Sequence, residues 1–366
     1  MPRILHVLST LRRSGAEVML AAAAPRFQAA GWEGHILSTG ETPGAFAPAL
    51  EHAGYIIHHL PFARTAGYFA RFHRLVARLR PDVTHIHSEQ ASLAHAALGR
   101  RGVRTVHACF EFTGALRWRK AAERWLCRSL FGVIHIAPSP SVRENERQRF
   151  LNDTVLCPDW YDERRFQPPT DDQRLAARQA LGLAPDDVVV ASVGNHEPVK
   201  NYATGLRAFA LAAADSRLRF LHIGRTTDLA GGEALPQLAA ALDLGARARF
   251  IGETDEVARH LHAADAYLMP SLREGFSIAT VEAMACGLPQ ILADVPGLAD
   301  FRATIPDVVY AQPTVAGLAA ALEGMAALDG PERRRRGAGI AAAARGRFST
   351  AFGAGRYIAL YERRRR

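Results

Sequence analysis

The 366-residue chain contains two lysines, Lys120 and Lys200, beside 43 arginines. No Asp-x-Asp triplet occurs, so a divalent metal held by paired carboxylates has no basis in the sequence. No run of eighteen apolar residues occurs, which argues against a spanning helix. The opening residues lack a basic region followed by an apolar run, so no secretory signal is expected and the chain is read as cytoplasmic. Cysteine is sparse: Cys109, Cys127, Cys157 and Cys286 are scattered without a C-x-x-C pair. Buried free thiols are expected there, rather than disulfides or a zinc site. Also missing is G-x-G-x-x-G after the first strand, which counts against a dinucleotide oxidoreductase.

What is present points to two domains, because 48% hydrophobic residues over this length exceed what one core holds. The net charge of +9 is unevenly placed: +8 over residues 1–165, −8 over 166–330 and +9 over 331–366. A basic first half and tail are expected to face something anionic. Nucleic acid is disfavoured, since no zinc-finger or RNA-recognition signature appears; an anionic membrane leaflet is the other candidate. Two stretches, "FARTAGYFARFHRLVARLR" (62–80) and "ALRWRKAAERWLCRSLFG" (115–132), set arginines among aromatic and aliphatic residues at helical spacing. Such helices suit a bilayer surface, or are ordinary amphipathic helices with a solvated basic face. The "RRRR" runs at 333–336 and 363–366 add to that surface or are merely solvated.

Short β-rich runs alternate with helical stretches. "RILHVLST" leads to the helical "SGAEVMLAAAAPRFQAAG", and "EGHILSTG", "DVTHIHS", "VRTVHAC" and "GVIHIAPS" follow at intervals. This alternation predicts a parallel sheet with helices on both faces. After "RRFQPPTDDQR" the pattern restarts with "DVVVASVG", "LRFLHIG", "ARFIG", "AYLMPS" and "PQILAD". The expectation is an α/β chain of two Rossmann-like units, 1–165 and 166–345, with a C-terminal helix at 346–366. Periodicity does not say where that last helix packs.

Two stretches of the second unit carry chemistry. In "SLREGFSIATVEAMACGLP" (271–289), the loop holding Glu274 and Gly275 follows the strand "AYLMPS". Ser277 is expected to N-cap a helix that ends at Gly287 and Pro289. Ligands of open α/β sheets lie beyond the carboxyl ends of strands, and the leading amides of residues 276–279 suit an anion. Glu282, just inside the helix, can accept two hydrogen bonds from a vicinal diol such as ribose. Glu274 can do the same for a sugar. Equally, Glu282 can be a solvated helix residue and Glu274 a loop charge. In "ASVGNHEPVKNYATG" (191–205), Lys200 stands in a polar loop after a strand, suited to a phosphate or simply solvated.

These residues carry a resemblance. "EGFSIATVEAMACGLP" with "VGNHEPVKN" resembles the signature of family 4 retaining glycosyltransferases, GT-B enzymes with an E-x7-E motif. "TVLCPDWYDERRF" is similar to the family's interdomain I-P-N-G segment, with Asp159 and Trp160 replacing Asn and Gly. "LSTLRRSGAEVML" resembles its N-terminal G-G-x-E loop, with Ser14 replacing the first Gly. The resemblance implies two Rossmann-like domains facing each other across a cleft, with the C-terminal helix crossing back to the first. It implies that Glu282 binds the ribose of a nucleotide-diphosphate sugar, and that Glu274 with the backbone of Gly275, Phe276, Ser277 and Ile278 holds sugar and phosphates. Lys200 would neutralise the leaving diphosphate, Gly15 would admit the first domain's backbone to it, and His107 would reach the donor sugar near its reacting end. Where many members carry an arginine shortly before the lysine, this chain has Asn195, with Arg225 or Arg273 as substitutes. His85 and His87, on one sheet face, have structural or acceptor-lining roles.

The implied activity is metal-independent, cofactor-free transfer of a sugar to a lipid-linked or envelope glycan, with retention, in polysaccharide or lipopolysaccharide biosynthesis. It would take place peripherally on the inner face of the cytoplasmic membrane. A catalytically silent GT-B-like nucleotide-sugar binding or scaffold subunit is the alternative, suggested by Asn195, Ser14 and Trp160.

Overall fold

The computed structural model describes residues 1–212, 217–227 and 234–365. Residues 213–214 of the helical run from Asn201, Asp228, and Arg366 of the terminal basic run lie outside them. The chain divides into two compact units, residues 1–162 with 348–366, and residues 163–347.

In the first unit, apolar and β-branched runs form strands β1 (Arg3–Leu8), β2 (Glu33–Ser38), β3 (Ile56–His59), β4 (Val83–Ile86), β5 (Val103–Thr105), β6 (Ile134–Ala137) and β7 (Val155–Leu156). They pair in parallel in the order β3-β2-β1-β4-β5-β6-β7. Both faces are covered by helices, which is why β1 and β4 are buried nearly throughout instead of alternating. The chain moves outward from β1 to β3 and then returns to the other side of β1. The switch point of this sheet therefore lies between β1 and β4.

The second unit repeats the plan with β8 (Val188–Val193), β9 (Leu218–Ile223), β10 (Ala248–Phe250), β11 (Ala266–Met269), β12 (Gln290–Ala293) and β13 (Val309–Ala311). Their order, β10-β9-β8-β11-β12-β13, puts the switch point between β8 and β11. Val188, Val190, Leu206, Phe209, Phe220 and Leu268 belong to the core behind that edge.

A long helix, Gly330–Phe348, leads to the break at Ser349, which bridges to Tyr161. The last helix, Thr350–Arg365, belongs to the first unit and packs on the helix Gly15–Ala29. Trp160 is fully buried there: its indole N–H donates to the Met19 carbonyl at 2.8 Å, and its ring meets Tyr357 edge-on. Gly353 makes room for it, since a Cβ at that position would come within 2.4 Å of the indole. All four cysteines are buried, and none is in a disulfide.

The two basic helices differ. In Ala66–Leu79, Tyr68, Phe72 and Val76 point into the core, so this is an ordinary amphipathic helix. In Gly114–Ser129, Arg124 points inward instead, paired with Glu146 at 2.7 Å and with Glu89 at 3.2 Å. That buried arginine sets the helix rotation, leaving Trp118 and Trp125, seven residues apart, 59% and 56% exposed. Leu116, Leu130 and Phe131 are exposed nearby in sequence. No helix among the described residues is long and apolar enough to cross a membrane.

Candidate functional site

In the second unit the sequence-predicted residues gather at the carboxyl edge of β8, β9 and β11, at the switch point where open α/β sheets bind ligands. The loop after β8 is drawn to the loop after β11 by the Leu272 amide, which donates to the Val199 carbonyl at 2.8 Å. Asn201, in a left-handed conformation that closes the turn, also donates to the Pro270 carbonyl at 3.1 Å. These backbone ties bring the Lys200 ammonium to 2.8 Å from Glu274 Oε1, and the Ser271 hydroxyl donates to the same oxygen at 2.7 Å.

Neither glutamate is a solvated charge. Glu274 is 9% exposed and Glu282 8%, which rules out the bland alternative for both. Their positions are fixed by different elements: Glu274 by its strand-end loop, Glu282 by the helix Ile278–Ala285. Glu274's amide donates to the Pro296 carbonyl at 3.2 Å, and Gly297 packs flat against its backbone. A Cβ on Gly297, whose φ is +87°, would meet the Glu274 carbonyl oxygen at 2.3 Å. At the foot of this edge, burial holds the Tyr202 and Tyr267 phenols well above their ordinary range, reinforced by neighbouring negative groups. Both therefore remain protonated, and Tyr202 donates to the Val193 carbonyl at 2.7 Å.

Ser277 departs from expectation. It occupies the N-cap position but lies at φ 61°, and its side chain makes no capping bond. Its hydroxyl instead meets the Thr280 hydroxyl at 2.7 Å, because the left-handed turn directs the side chain away from the leading amides. Those amides, from Ser277 through Ala279, precede the first helical bond, Val281 to Ser277. Gly275 lies in the loop before them, while Phe276 turns its ring onto Phe301 and leaves only its backbone at this edge. Gly287, at φ +76°, ends the helix as the sequence indicated.

Asn195 is a loop staple: its side-chain oxygen accepts from the Arg225 amide at 3.1 Å, and His196 donates to the Arg225 carbonyl at 2.8 Å. This sets Arg225 at the same edge, its guanidinium 3.8 Å from Glu197. Ser271, Tyr267, Thr280 and Gly297 were missed by sequence reasoning. Gly297, directly after Pro296, is the one whose sequence context signals a special turn.

The first unit holds Gly15 and His107. Gly15 opens the helix Gly15–Ala29 just beyond β1. Ser14 before it lies at φ −132°, extended backbone open to any residue, so replacing a glycine there costs no strain. Its hydroxyl bonds to the Glu17 carboxylate. Burial raises the Glu17 pKa, opposed in part by that hydroxyl. His107 follows β5. Its Nδ1 faces Asp159 at 3.3 Å and its Nε2 faces His87 Nδ1 at 3.0 Å.

Among the described residues, His6, His85 and His87 form a group whose ring nitrogens come within 4.8 Å of one another. Most of those nitrogens are already engaged. His85 bonds to Tyr361 at 2.5 Å and Thr105 at 2.8 Å, and His87 to His6 at 3.1 Å and to His107. The rings of His85 and His87 stack 4.1 Å apart, so their in-plane lone pairs run side by side and do not converge as a metal cage requires.

Comparison with known proteins agrees with this architecture. Residues 173–338 match the family model described as "Glycosyl transferases group 1", and residues 13–159 that described as "Glycosyltransferase Family 4". The chain is 37% identical over 154 residues to a D-inositol 3-phosphate glycosyltransferase of Geodermatophilus obscurus, and 40% over 144 residues to its namesake from Rhodococcus opacus. These matches cover 40% and 37% of this chain and 34% and 32% of the relatives, so the chain spans about a third of their length. Over whole chains, Anabaena HepE, solved with UDP and glucose, superimposes with a TM-score of 0.82 at 20% identity, covering 99% of this chain and 100% of that one. A Rickettsia africae glycosyltransferase does so with 0.81 at 14% identity, covering 99% and 98%. The fold is GT-B, and the chain belongs to family 4 of the glycosyltransferases.

Proposed function

We propose that this protein is a retaining glycosyltransferase that moves a sugar from a nucleotide-diphosphate sugar to a hydroxyl of a lipid-linked or envelope glycan. The observation that carries this reading is the Lys200–Glu274 pair at the β8/β11 switch point, with Glu282 buried one helical turn beyond the leading amides. A cation and an acceptor 2.8 Å apart suit the junction between phosphate and sugar. Solved complexes of HepE with UDP and with UDP-glucose support a nucleotide sugar as the donor.

Glu282 accepts from the ribose diol, and Glu274 from the sugar hydroxyls. The backbone of Gly275 to Ile278 and the Lys200 ammonium stabilise the negative charge that builds on the departing diphosphate, with no resident metal or cofactor. Arg225, stapled in place by Asn195, supplies the second cation that other members place near the lysine. For Gly15 and His107, in the first unit, the family resemblance implies roles at the diphosphate and at the sugar. The acceptor hydroxyl attacks from the face the diphosphate leaves, and that phosphate takes its proton, so configuration is retained.

The exposed Trp118 and Trp125 among Arg117, Arg119 and Arg128 support an anionic bilayer as the place of work, at the cytoplasmic face. A silent subunit is less well supported, because Asn195, Ser14 and Trp160 each have a structural reason while Lys200, Glu274 and Glu282 remain. The relatives' names offer a second acceptor class, a phosphorylated cyclic polyol. Thermal melting with UDP-, GDP- and ADP-sugars identifies the donor base, since a bound ligand raises the midpoint by mass action. Release of nucleoside diphosphate only in the presence of acceptor is the expected signature of transfer. Nucleotide binding without turnover on any lipid-linked glycan or inositol phosphate would overturn it.

A further inference from the structure

His6 on β1 stands directly across the sheet from His85 on β4, and His87 lies two residues further along the same face. From there, hydrogen bonds continue in one direction. Asp159 Oδ2 lies 3.3 Å from His107 Nδ1, His107 Nε2 lies 3.0 Å from His87 Nδ1, and His87 Nε2 lies 3.1 Å from His6 Nδ1. The string ends at His6 Nε2, which is buried and has no hydrogen-bond partner among the described residues. Its polarity follows from its first member. A carboxylate only accepts, so His107 carries its proton on Nδ1 and its Nε2 must accept. His87 then donates through Nδ1 and accepts at Nε2, and His6 donates through Nδ1. The reverse polarity would make His107 an imidazolium and leave an N–H of His6 buried without an acceptor, which forfeits that group's hydration with nothing in return. Burial also pushes the His6 pKa down to about 3 and that of His87 well below its ordinary value, so both stay neutral.

We propose that Asp159, His87 and His6 are positioning residues that lock His107 in the Nδ1–H tautomer and in one ring orientation. This role rests on the transferase reading, in which His107 meets the donor sugar. At 3.3 Å the contact with Asp159 is long for a charge-assisted bond, and the His107 side chain is 24% exposed. A sugar hydroxyl can therefore share the Nδ1–H while Asp159 accepts that hydroxyl's proton in a hydrogen bond. Asp159 stands where the resembling family carries Asn, so the charged end of the string is a feature of this chain.

The test is a long-range proton–nitrogen correlation spectrum of ligand-free protein labelled with nitrogen-15 at histidine, assigned by single histidine substitutions. The expected spectrum has His107, His87 and His6 each protonated on Nδ1 with a bare Nε2. His87→Phe removes the donor that keeps Nε2 bare and, because the 3.3 Å contact with Asp159 is too long to hold the tautomer by itself, should release His107 into a tautomer mixture. His87→Asn, whose amide N–H replaces the lost donor, should restore the single tautomer. With the donor selected by thermal melting, His87→Phe should lower kcat roughly tenfold with little change in KM, and His87→Asn should recover most of it. An Nε2–H on wild-type His107, a tautomer indifferent to His87→Phe, an unchanged kcat in that variant, or zinc retained by the trio would each overturn the proposal. The tautomer readout needs no substrate, so it separates failure of the string from failure of the transferase reading.

Discussion

At the scale of single residues, the second unit's edge depends on a few polar contacts whose removal has separable effects. Lys200→Ala removes the cation that faces Glu274 and, in the proposed mechanism, the leaving diphosphate. A loss of one such preorganised charge costs about 10²–10³ in kcat. Nucleoside diphosphate release measures it, and wild-type turnover would mean that the donor site lies elsewhere. Glu282→Ala removes a hydrogen-bonding carboxylate worth about 1.5–3 kcal/mol, so the KM for donor should rise roughly tenfold to a hundredfold. In the proposed mechanism that carboxylate serves the ribose, so the melting curve should stay close to wild type.

At the scale of elements, glycine and arginine placement decides what the strand-end loops and the first-unit helices present. Gly297 lets the loop after β12 lie flat on the Glu274 backbone. Gly297→Ala would need both a positive φ of +87° and displacement of the Glu274 carbonyl. It should destabilise by about 1–3 kcal/mol and weaken donor binding, seen as a lower melting midpoint and a smaller shift with UDP-sugar. In the helix Gly114–Ser129, Arg124 is paired inward and the two tryptophans face out. Trp118→Ala with Trp125→Ala should leave melting nearly unchanged and weaken sedimentation with vesicles containing phosphatidylglycerol, whereas neutral vesicles should distinguish the pair little. Equal binding by the variant would remove this helix from the membrane proposal.

Across the whole molecule, buried neutral histidines are concentrated in one unit. Burial lowers the pKa of His6 and His135 to about 3 and of His95 to about 4, and that of His85 and His87 well below the ordinary value. All five lie in the first unit; in the second, His222 is lowered to about 4. The unfolded chain protonates these rings near pH 6.5 while the folded chain does not. Stability is therefore fully present above pH 6.5 and is lost as pH falls through the window from 6.5 toward about 4 for His95 and about 3 for His6 and His135, by up to about 1.4 kcal/mol per ring per pH unit. The first unit should unfold before the second on acidification. Trp32, Trp118, Trp125 and Trp160, all the tryptophans of the chain, lie in that unit, so their fluorescence should change ahead of the far-ultraviolet circular dichroism. Coincident transitions would contradict this.

Much of the architecture was legible in the sequence, for a physical reason. Alternating strand and helix periods, the restart after residue 165, and the placing of "LREGF" after a strand are local properties of the chain, and local properties specify a doubly wound sheet. Burial of the glutamates was not legible, since a carboxylate eight residues from another looks the same whether solvated or enclosed. Nor was the purpose of Asn195, which depends on Arg225 thirty residues away, or the direction of the basic helices, which turns on whether an arginine or an aromatic faces inward. The histidines were visible one by one in "RILHVLST", "DVTHIHS" and "VRTVHAC". Their order as a single string ending on Asp159 exists only because β1, β4 and β5 are neighbours in the sheet. The sequence alone determined which elements form and which side chains they carry. Tertiary structure decided which of those side chains meet, because a hydrogen bond between residues 50 or 80 positions apart is set by strand order and burial, and neither is written in any local window.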